Sequence, residues 1–205
     1  MENIAEKIIE SAEGLFLKYG IKSVTMDDIA RELAISKKTI YQYFKDKTEI
    51  VVKVARNHME REKLQIEVIQ SESANIIEEL IMMTRCMKEN HMKTNPSVFL
   101  DLRKYYKKGW QVYLEYKNKV FYKSILSSLK RGIDEGVFRP EINVEILANM
   151  RLELIQLSFN DEIFPRDKFN FTEVHQQLSE HFIYGILTTK GKELLENQLF
   201  KQQQK

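Results

Sequence analysis

The sequence predicts an all-α protein with two helical domains, and three observations support this fold class. Apolar residues recur at helical spacing along most of the chain, whereas no alternating strand pattern is convincing. Seven glycines and three prolines among 205 residues are well below average usage, so turns are few and regular elements should be long. The length suits one or two domains with a sizeable core.

Composition narrows the class of protein further. Apolar residues make up 43% and charged residues 30% of the chain, as in ordinary soluble globular proteins. The single cysteine, Cys86, excludes a disulfide framework within the chain and fits a reducing compartment. No apolar run reaches the roughly 18 residues of a membrane span, and the N-terminal residues do not follow the pattern of a signal peptide. We therefore expect a cytoplasmic protein.

The first three helices follow from local signals. Apolar side chains form one stripe over Ile4–Tyr19, and Gly20 can take the positive φ that ends such a helix. Thr25 begins a second helix and has an acidic residue three positions later, which is typical of a capping box. Ser36 is a similar cap for a third helix, so two helices of about eight residues flank a turn at residues 34–36. Two short helices around a tight turn are typical of a helix-turn-helix.

A fourth helix begins at Lys47, where Asp46 and Glu49 form another cap. Its helical pattern continues into the sixties without a linker, so we place the domain boundary inside it, with residues 1–58 in the first domain and 59–205 in the second. The same periodicity and stop signals predict five later helices. They lie near residues 75–90, from Pro96 in the first turn to Tyr106, from a joint at Gly109 to about Glu135, from Asn143 to about Phe159 and from about Thr172 to Thr189.

Positive charge is concentrated on the third helix and its flanks. Residues 36–47 contain four lysines and one aspartate, although the first 56 residues hold 10 basic and 9 acidic side chains and the whole chain carries a net charge of +2. Such local focusing of charge is what attraction to the phosphates of a nucleic acid requires.

Residues 24–50, VTMDDIARELAISKKTIYQYFKDKTEI, closely resemble the DNA-binding signature of the TetR/AcrR family of bacterial repressors. The resemblance implies a three-helix head whose third helix is the recognition helix that enters the major groove. Two positions depart from the commonest pattern, since Ala34 and Lys38 stand where glycine is frequent. An alanine in the turn costs about 1 kcal/mol if its φ is positive, and Lys38 adds a side chain near the DNA.

Nine residues are predicted to contact DNA. The outer face of the recognition helix can reach base edges, while tyrosine hydroxyls and capped helix N-termini suit phosphates, and a lysine on the fourth helix would hold the backbone from the other side. These residues, which match contact positions of the family, are Thr25, Ser36, Lys37, Lys38, Thr39, Tyr41, Gln42, Tyr43 and Lys47. The expected partner is a double-stranded DNA operator, palindromic because one short helix reads only a few base pairs and two half-sites are needed.

A homodimer is expected to form through the last two long helices, whose apolar stripes look wider than one core requires. Gly185 would permit close helix approach there. The predicted interface residues are Leu147, Met150, Leu154, Leu178, Phe182 and Ile186. The alternative is that both stripes belong to the internal core of one chain.

A pocket for a small apolar or aromatic effector is predicted in the second domain. Eight of the 21 aromatic residues fall within residues 99–122, and methionines on a preceding helix can repack around ligands of different shapes. Besides tyrosine hydroxyls, Arg103 and Asp101 are weaker candidates to orient a ligand. A simple packed core is the alternative. The predicted lining residues are Met82, Met83, Cys86, Met87, Phe99, Tyr105, Tyr106, Trp110, Tyr113 and Phe121.

The sequence thus predicts a transcriptional regulator, a repressor that leaves its operator when a small effector binds. An architectural or adaptor DNA-binding protein without an effector is the first alternative, and it would need no pocket. An all-α enzyme is the second, although the histidines and the lone cysteine lack metal-ligand spacing and the chain has no phosphate-binding glycine loop or nucleophile motif. No cofactor or metal is expected.

Overall fold

The computed structural model describes residues 3–95 and 97–203, and this part of the chain is helical with no β-strand. None of its helices is both long enough and apolar enough to cross a membrane. A π-helical turn over Lys117–Phe121 lies between α7 and α8. The α-helices are α1 (Ile4–Tyr19), α2 (Met26–Glu32), α3 (Lys37–Tyr43), α4 (Lys47–Glu72), α5 (Ile76–Lys93), α6 (Ser97–Tyr105), α7 (Lys107–Tyr116), α8 (Tyr122–Asp134), α9 (Val144–Leu157), α10 (Phe171–Ile186) and α11 (Thr189–Gln203).

The all-α class and the first four helices are confirmed, but the prediction of a joint between helices at Gly109 is wrong. This glycine lies inside α7, and the joint lies between α6 and α7. A Cβ atom at Gly109 would stand 2.7 Å from Leu102 Cδ1 and 3.2 Å from Val51 Cγ1. The glycine therefore serves close helix packing rather than a chain break.

The C-terminal region also differs from the prediction. The helix expected to reach Thr189 ends at Ile186, because Leu187 adopts an extended conformation and forms an antiparallel bridge with Phe138. A further helix, α11, follows, and the Thr188 hydroxyl accepts a hydrogen bond from the Gly191 N–H at 3.1 Å. Since the apolar residues of α11 are largely exposed, its periodicity in the sequence is weak.

The residues that the structure describes form two compact units. The first contains residues up to Glu62 together with Asn90–Tyr116. Its core is formed by buried side chains of α1 to α4, and Val98, Leu102 and Tyr106 pack against it. The domain boundary near residue 58 stays a prediction.

The second unit contains Lys63–Glu89 and the chain from Lys117 onward. Its core is contributed by α5, α8, α9, α10, the segment that follows α8, Leu187, and Leu195 of α11. The Arg131 guanidinium lies beside this core and binds Glu79 Oε2 at 3.1 Å and Glu135 Oε1 at 2.7 Å. Its Nη2 also donates to the Ser73 carbonyl oxygen at 2.8 Å. The two glutamates therefore balance the charge of Arg131.

Candidate DNA-binding surface

The second helix begins with the predicted capping box. The Thr25 hydroxyl accepts a hydrogen bond from the Asp28 N–H at 3.2 Å, and the Thr25 N–H donates to Asp28 Oδ2 at 2.8 Å. Both groups would otherwise be unsatisfied at a helix start, so the pair fixes where α2 begins. The carboxylate's hydrogen bonds with Thr25 lower the pKa of Asp28.

The turn between α2 and α3 depends on Ala34 and Ser36. Ala34 has a φ of +52°, in the left-handed region that favours glycine. The Ile35 N–H then donates to the Ala30 carbonyl oxygen at 3.0 Å. Ser36 caps α3, because its hydroxyl accepts a hydrogen bond from the Thr39 N–H at 3.0 Å. The turn thereby sets the direction of α3 relative to α2.

The third helix presents one buried and several exposed side chains. Ile40 is completely buried against α1 and α2, which anchors the helix. The exposed side chains are Lys37, Lys38, Tyr41, Gln42 and Tyr43. Two flexible cations, an amide and two phenol hydroxyls are thus carried by one rigid short helix. This set can donate hydrogen bonds both to base edges and to phosphate oxygens.

Lys37 already has an acidic neighbour on α2. Its Nζ lies 2.7 Å from Asp27 Oδ2, and this hydrogen bond raises the pKa of Lys37. Both side chains are well exposed, so the ion pair contributes little to stability and can exchange for a phosphate.

The hydroxyls predicted to contact DNA are engaged in local bonds. The Thr39 hydroxyl lies 2.8 Å from that of Ser36, and the Thr25 hydroxyl lies 2.7 Å from Asp28 Oδ2. The accessible functional groups of this region are therefore mainly the lysines, Gln42 and the two tyrosines.

Lys47 has an inward role that the sequence did not reveal. Its Nζ donates hydrogen bonds to the carbonyl oxygens of Ile21 and Lys22. It also lies 5.8 Å from the ring centroid of Phe16 and 5.5 Å from that of Tyr106. Burial lowers the pKa of this ammonium group. Lys47 thus stabilises the loop that follows α1, and its contact with DNA stays a prediction.

A second tie to the same loop also escaped sequence reasoning. Asp101 is buried on α6, and its Oδ2 accepts a hydrogen bond from the Lys22 N–H at 2.7 Å. The Lys22 ammonium reaches the Tyr105 hydroxyl at 3.4 Å. Because 79 residues separate Lys22 from Asp101, no local signal in the sequence predicts this pairing. Asp101, a weak candidate for orienting a ligand, therefore already has a structural partner.

The residues predicted to line a pocket are divided between the units. Phe99, Trp110 and Tyr113 form one aromatic cluster in the first unit, with ring centroids 4.8 to 5.1 Å apart. Tyr106 packs against the core of that unit, and Tyr105 is exposed. The other predicted lining residues belong to the second unit and are partly buried, namely Met82, Met83, Cys86, Met87 and Phe121. The pocket itself stays a prediction.

The predicted interface residues are also divided in their exposure. Phe182 and Ile186 belong to the buried core of the second unit, Leu147 and Leu154 are partly buried and pack against it, and Leu178 is partly buried. Exposed positions on α9 and α10 are Ile146, Met150, Tyr184 and Gly185.

In the part of the chain that the structure describes, no group of three histidine, cysteine or acidic side chains could hold a metal ion.

Known proteins resemble this chain in sequence and in fold. Residues 8–54 match the family model of the bacterial regulatory proteins of the tetR family. The HTH-type transcriptional repressor KstR2 of Mycobacterium tuberculosis (strain H37Rv) is 26% identical over 144 residues, which cover 69% of this chain and 72% of that protein.

Two solved structures illustrate the likeness in fold. A transcriptional regulator from Saccharomonospora viridis in complex with choline superposes with a TM-score of 0.73 and 21% identity, covering 90% of this chain and 98% of that one. FadR from Bacillus subtilis in complex with stearoyl-CoA superposes with a TM-score of 0.59 and 20% identity, covering 88% of this chain and 98% of that one.

At these identities the solved structures establish the fold, while the sequence match covers the capped helices described above. The relatives matched in sequence are named as an HTH-type transcriptional regulator and an HTH-type transcriptional repressor. Over residues 8–54, the chain is therefore similar to the bacterial regulatory proteins of the tetR family.

Proposed function

We propose that this protein is a dimeric repressor that binds an operator through α3 and releases it when a small apolar or aromatic effector binds. The observation that carries this proposal is the capped helix α3, which is anchored by buried Ile40 and exposes Lys37, Lys38, Gln42 and two tyrosines. Such a helix has both the rigidity and the donors needed to read a major groove. The bacterial cytoplasm is where such a regulator would act.

Dimerisation follows from the number of base pairs that one α3 can read. Two heads related by a two-fold axis would contact half-sites about one helical turn apart, which makes the operator a palindrome. Exposed Ile146 and Met150 on α9 and exposed Tyr184 and Gly185 on α10 supply an apolar surface for a second copy.

Repression and release are supported by the relatives. KstR2 is named as a repressor, and the two solved neighbours hold choline and stearoyl-CoA. In this chain, α4 runs without a break from residue 47 in the first unit to residue 72 in the second. An effector that displaces α4 would change how the heads meet the operator. A hundredfold loss of operator affinity requires the effector to prefer the released state by about 2.7 kcal/mol.

The proposal is tested by selecting operators from a random duplex library with the purified full chain. We expect an enriched palindrome that binds in a salt-dependent manner, and we expect a metabolite screen to yield compounds that weaken this binding. Fluorescence anisotropy on the selected and a scrambled duplex provides the measurement. Equal affinity for both duplexes would contradict a sequence-specific repressor, and binding that no screened metabolite weakens would favour the architectural alternative.

A further inference from the structure

Arg151 on α9 is a partly buried cation with no acidic partner among the described residues. Its Nη1 donates to the Ser179 hydroxyl at 3.0 Å, and its guanidinium lies 5.5 Å from the ring centroid of Phe182. Across residues 3–95 and 97–203, no carboxylate lies within 4 Å of this guanidinium. Burial lowers the pKa of Arg151 to about 10, so the group remains a cation at neutral pH.

A cation that is partly removed from water and has no counterion is unfavourable. A partner of opposite charge ordinarily compensates for the lost hydration. Arg131 in the same unit shows the usual solution, since two glutamates accompany it. Within the described residues only Nη1 of Arg151 makes a hydrogen bond, to Ser179. The other N–H donors of the guanidinium can therefore take an acceptor that binds from outside the chain.

The polar side chains beside Arg151 continue the same pattern. The Ser179 hydroxyl lies 3.4 Å from His175 Nε2, and His175 Nδ1 lies 3.3 Å from the Ser158 hydroxyl. All three side chains are buried. His175 and Ser179 are one helical turn apart on α10, so they present their polar groups on one face. Buried polar groups next to an unpaired cation are the usual means of orienting a charged ligand group.

Arg166 offers an internal comparison. Its guanidinium lies 4.8 Å from the ring centroid of Phe171, at the start of α10, much as Arg151 lies beside Phe182 near its end. However, Arg166 Nε bonds Asp161 Oδ1 at 2.5 Å. Its Nη1 and Nη2 are buried without a hydrogen-bond partner in the described chain, yet its charge is neutralised. A missing counterion is therefore specific to Arg151 in this pair.

We propose that the second unit binds an anionic small molecule whose carboxylate pairs with Arg151 and Ser179, while its apolar body contacts the phenylalanine-containing face of α10. The carboxylate is planar and matches the fork of N–H donors on a guanidinium. This inference rests on the proposed function, because it assigns the charge of the effector. It is tested by direct binding, which needs no operator and so fails independently of DNA binding.

The experiment compares carboxylic acids with their matched primary alcohols. Octanoate, laurate, phenylacetate and 1-naphthoate are titrated calorimetrically against the full-length protein, each beside the corresponding alcohol. We expect at least one acid to bind about tenfold to a hundredfold more tightly than its alcohol. Arg151→Met should abolish this preference, and Arg166→Met should retain it.

A second readout needs no ligand at all. Arg151→Met keeps the side-chain volume and removes an uncompensated charge, so the unfolding temperature of the ligand-free protein should stay the same or rise. Arg131→Met, which leaves Glu79 without its cation, should lower it. A drop for Arg151→Met as large as that for Arg131→Met would assign Arg151 a structural role and overturn the proposal.

Three further results would also overturn it. One is that all four acids fail to bind at millimolar concentration, or bind no better than their alcohols. Another is that the preference depends on Arg166 rather than Arg151. The third is that light scattering shows monomers for Arg151→Met where the unmodified protein is a dimer, because the counterion would then belong to a second copy.

Discussion

His58 on α4 donates a hydrogen bond from Nδ1 to Glu13 Oε1 on α1 at 3.1 Å. The same carboxylate oxygen accepts a hydrogen bond from Arg61, one turn further along α4. The Glu13 side chain is only 13% exposed, so two cations of α4 surround one nearly buried anion of α1. Because α1 also packs on α2 and α3, this contact joins the middle of α4 to the three helices that precede it.

The Glu13–His58 pair predicts a pH-dependent stability. Burial by itself would lower the pKa of His58, but hydrogen bonds to Glu13 and Glu62 outweigh it and raise the pKa to about 9. Since the folded-state pKa lies above the ordinary value of 6.5, the stabilisation is complete below pH 6.5 and is lost as the pH rises through about 9. Burial opposes ionisation of Glu13 as well, but His58 and Arg61 lower its pKa, so its contribution is lost only in acid.

We therefore expect His58→Gln to lower the free energy of unfolding by about 1–2 kcal/mol at pH 6, since solvent screens a partly exposed pair. The difference from the unmodified protein should vanish above pH 9. Urea unfolding at several pH values measures this effect, and the double variant Glu13→Gln/His58→Gln gives the coupling energy. A difference that is constant between pH 6 and pH 10 would show that the charge of His58 is not its cause.

The positive φ of Ala34 predicts that a glycine at this position would stabilise the protein. Its φ of +52° is unfavourable for a side chain with a Cβ atom, and glycine relieves this strain at the expense of some additional unfolded-state entropy. Ala34→Gly should therefore raise the free energy of unfolding by about 0.5–1 kcal/mol. The matched control is Ala55→Gly in the interior of α4, which should lower it by about 1 kcal/mol. Equal destabilisation by both variants in thermal unfolding would argue against strain at Ala34.

The helical organisation was predictable because its signals are local. Caps at Thr25 and Ser36 lie within three residues of the groups that they satisfy. The positive φ of Ala34 was also foreseeable from a local signal, since glycine is frequent at this position of the turn. The extra helix α11 was missed because its start depends on Leu187 pairing with Phe138, which is a contact between residues far apart in the sequence.

Long-range contacts also explain what sequence reasoning missed at the sites. Lys47 stands at a position that suits a phosphate contact, yet its ammonium binds carbonyl oxygens 25 and 26 residues earlier. Arg151 contacts Ser179 and Phe182 but no carboxylate among the described residues, and the sequence does not show which side chains a residue meets in space. Helical periodicity placed Phe182 and Ile186 on an apolar stripe but could not tell a core position from an interface position.

The two lysines of the recognition region predict different consequences for DNA binding. Lys38 is exposed, so Lys38→Ala should weaken operator binding and reduce the slope of log affinity against log salt by about one unit if its contact is with a phosphate. Lys47→Met should chiefly lower the unfolding temperature, because its ammonium holds the loop after α1. Anisotropy titrations at several salt concentrations measure the first effect, with exposed Lys53→Ala on α4 as the control. An unchanged slope for Lys38→Ala would place that side chain away from phosphate.

Gly185 on α10 provides a test of the proposed dimer. A Cβ atom added at Gly185 or at Gly14 on α1 meets none of the residues that the structure describes within 4 Å. Both alanine variants should therefore stabilise their helices by roughly 0.5–1 kcal/mol. If α10 packs closely against α10 of a second copy, however, the new methyl group at Gly185 must separate the two backbones.

Gly185→Ala should consequently weaken the dimer while Gly14→Ala leaves it unchanged. Met150→Lys, which places a charge on exposed apolar surface of α9, should weaken it more strongly because a buried unpaired ammonium is costly. Sedimentation equilibrium over a range of protein concentrations gives the dissociation constants. Dimers of unaltered strength in both Gly185→Ala and Met150→Lys would exclude this surface of α9 and α10, since no close-packed apolar interface tolerates both changes.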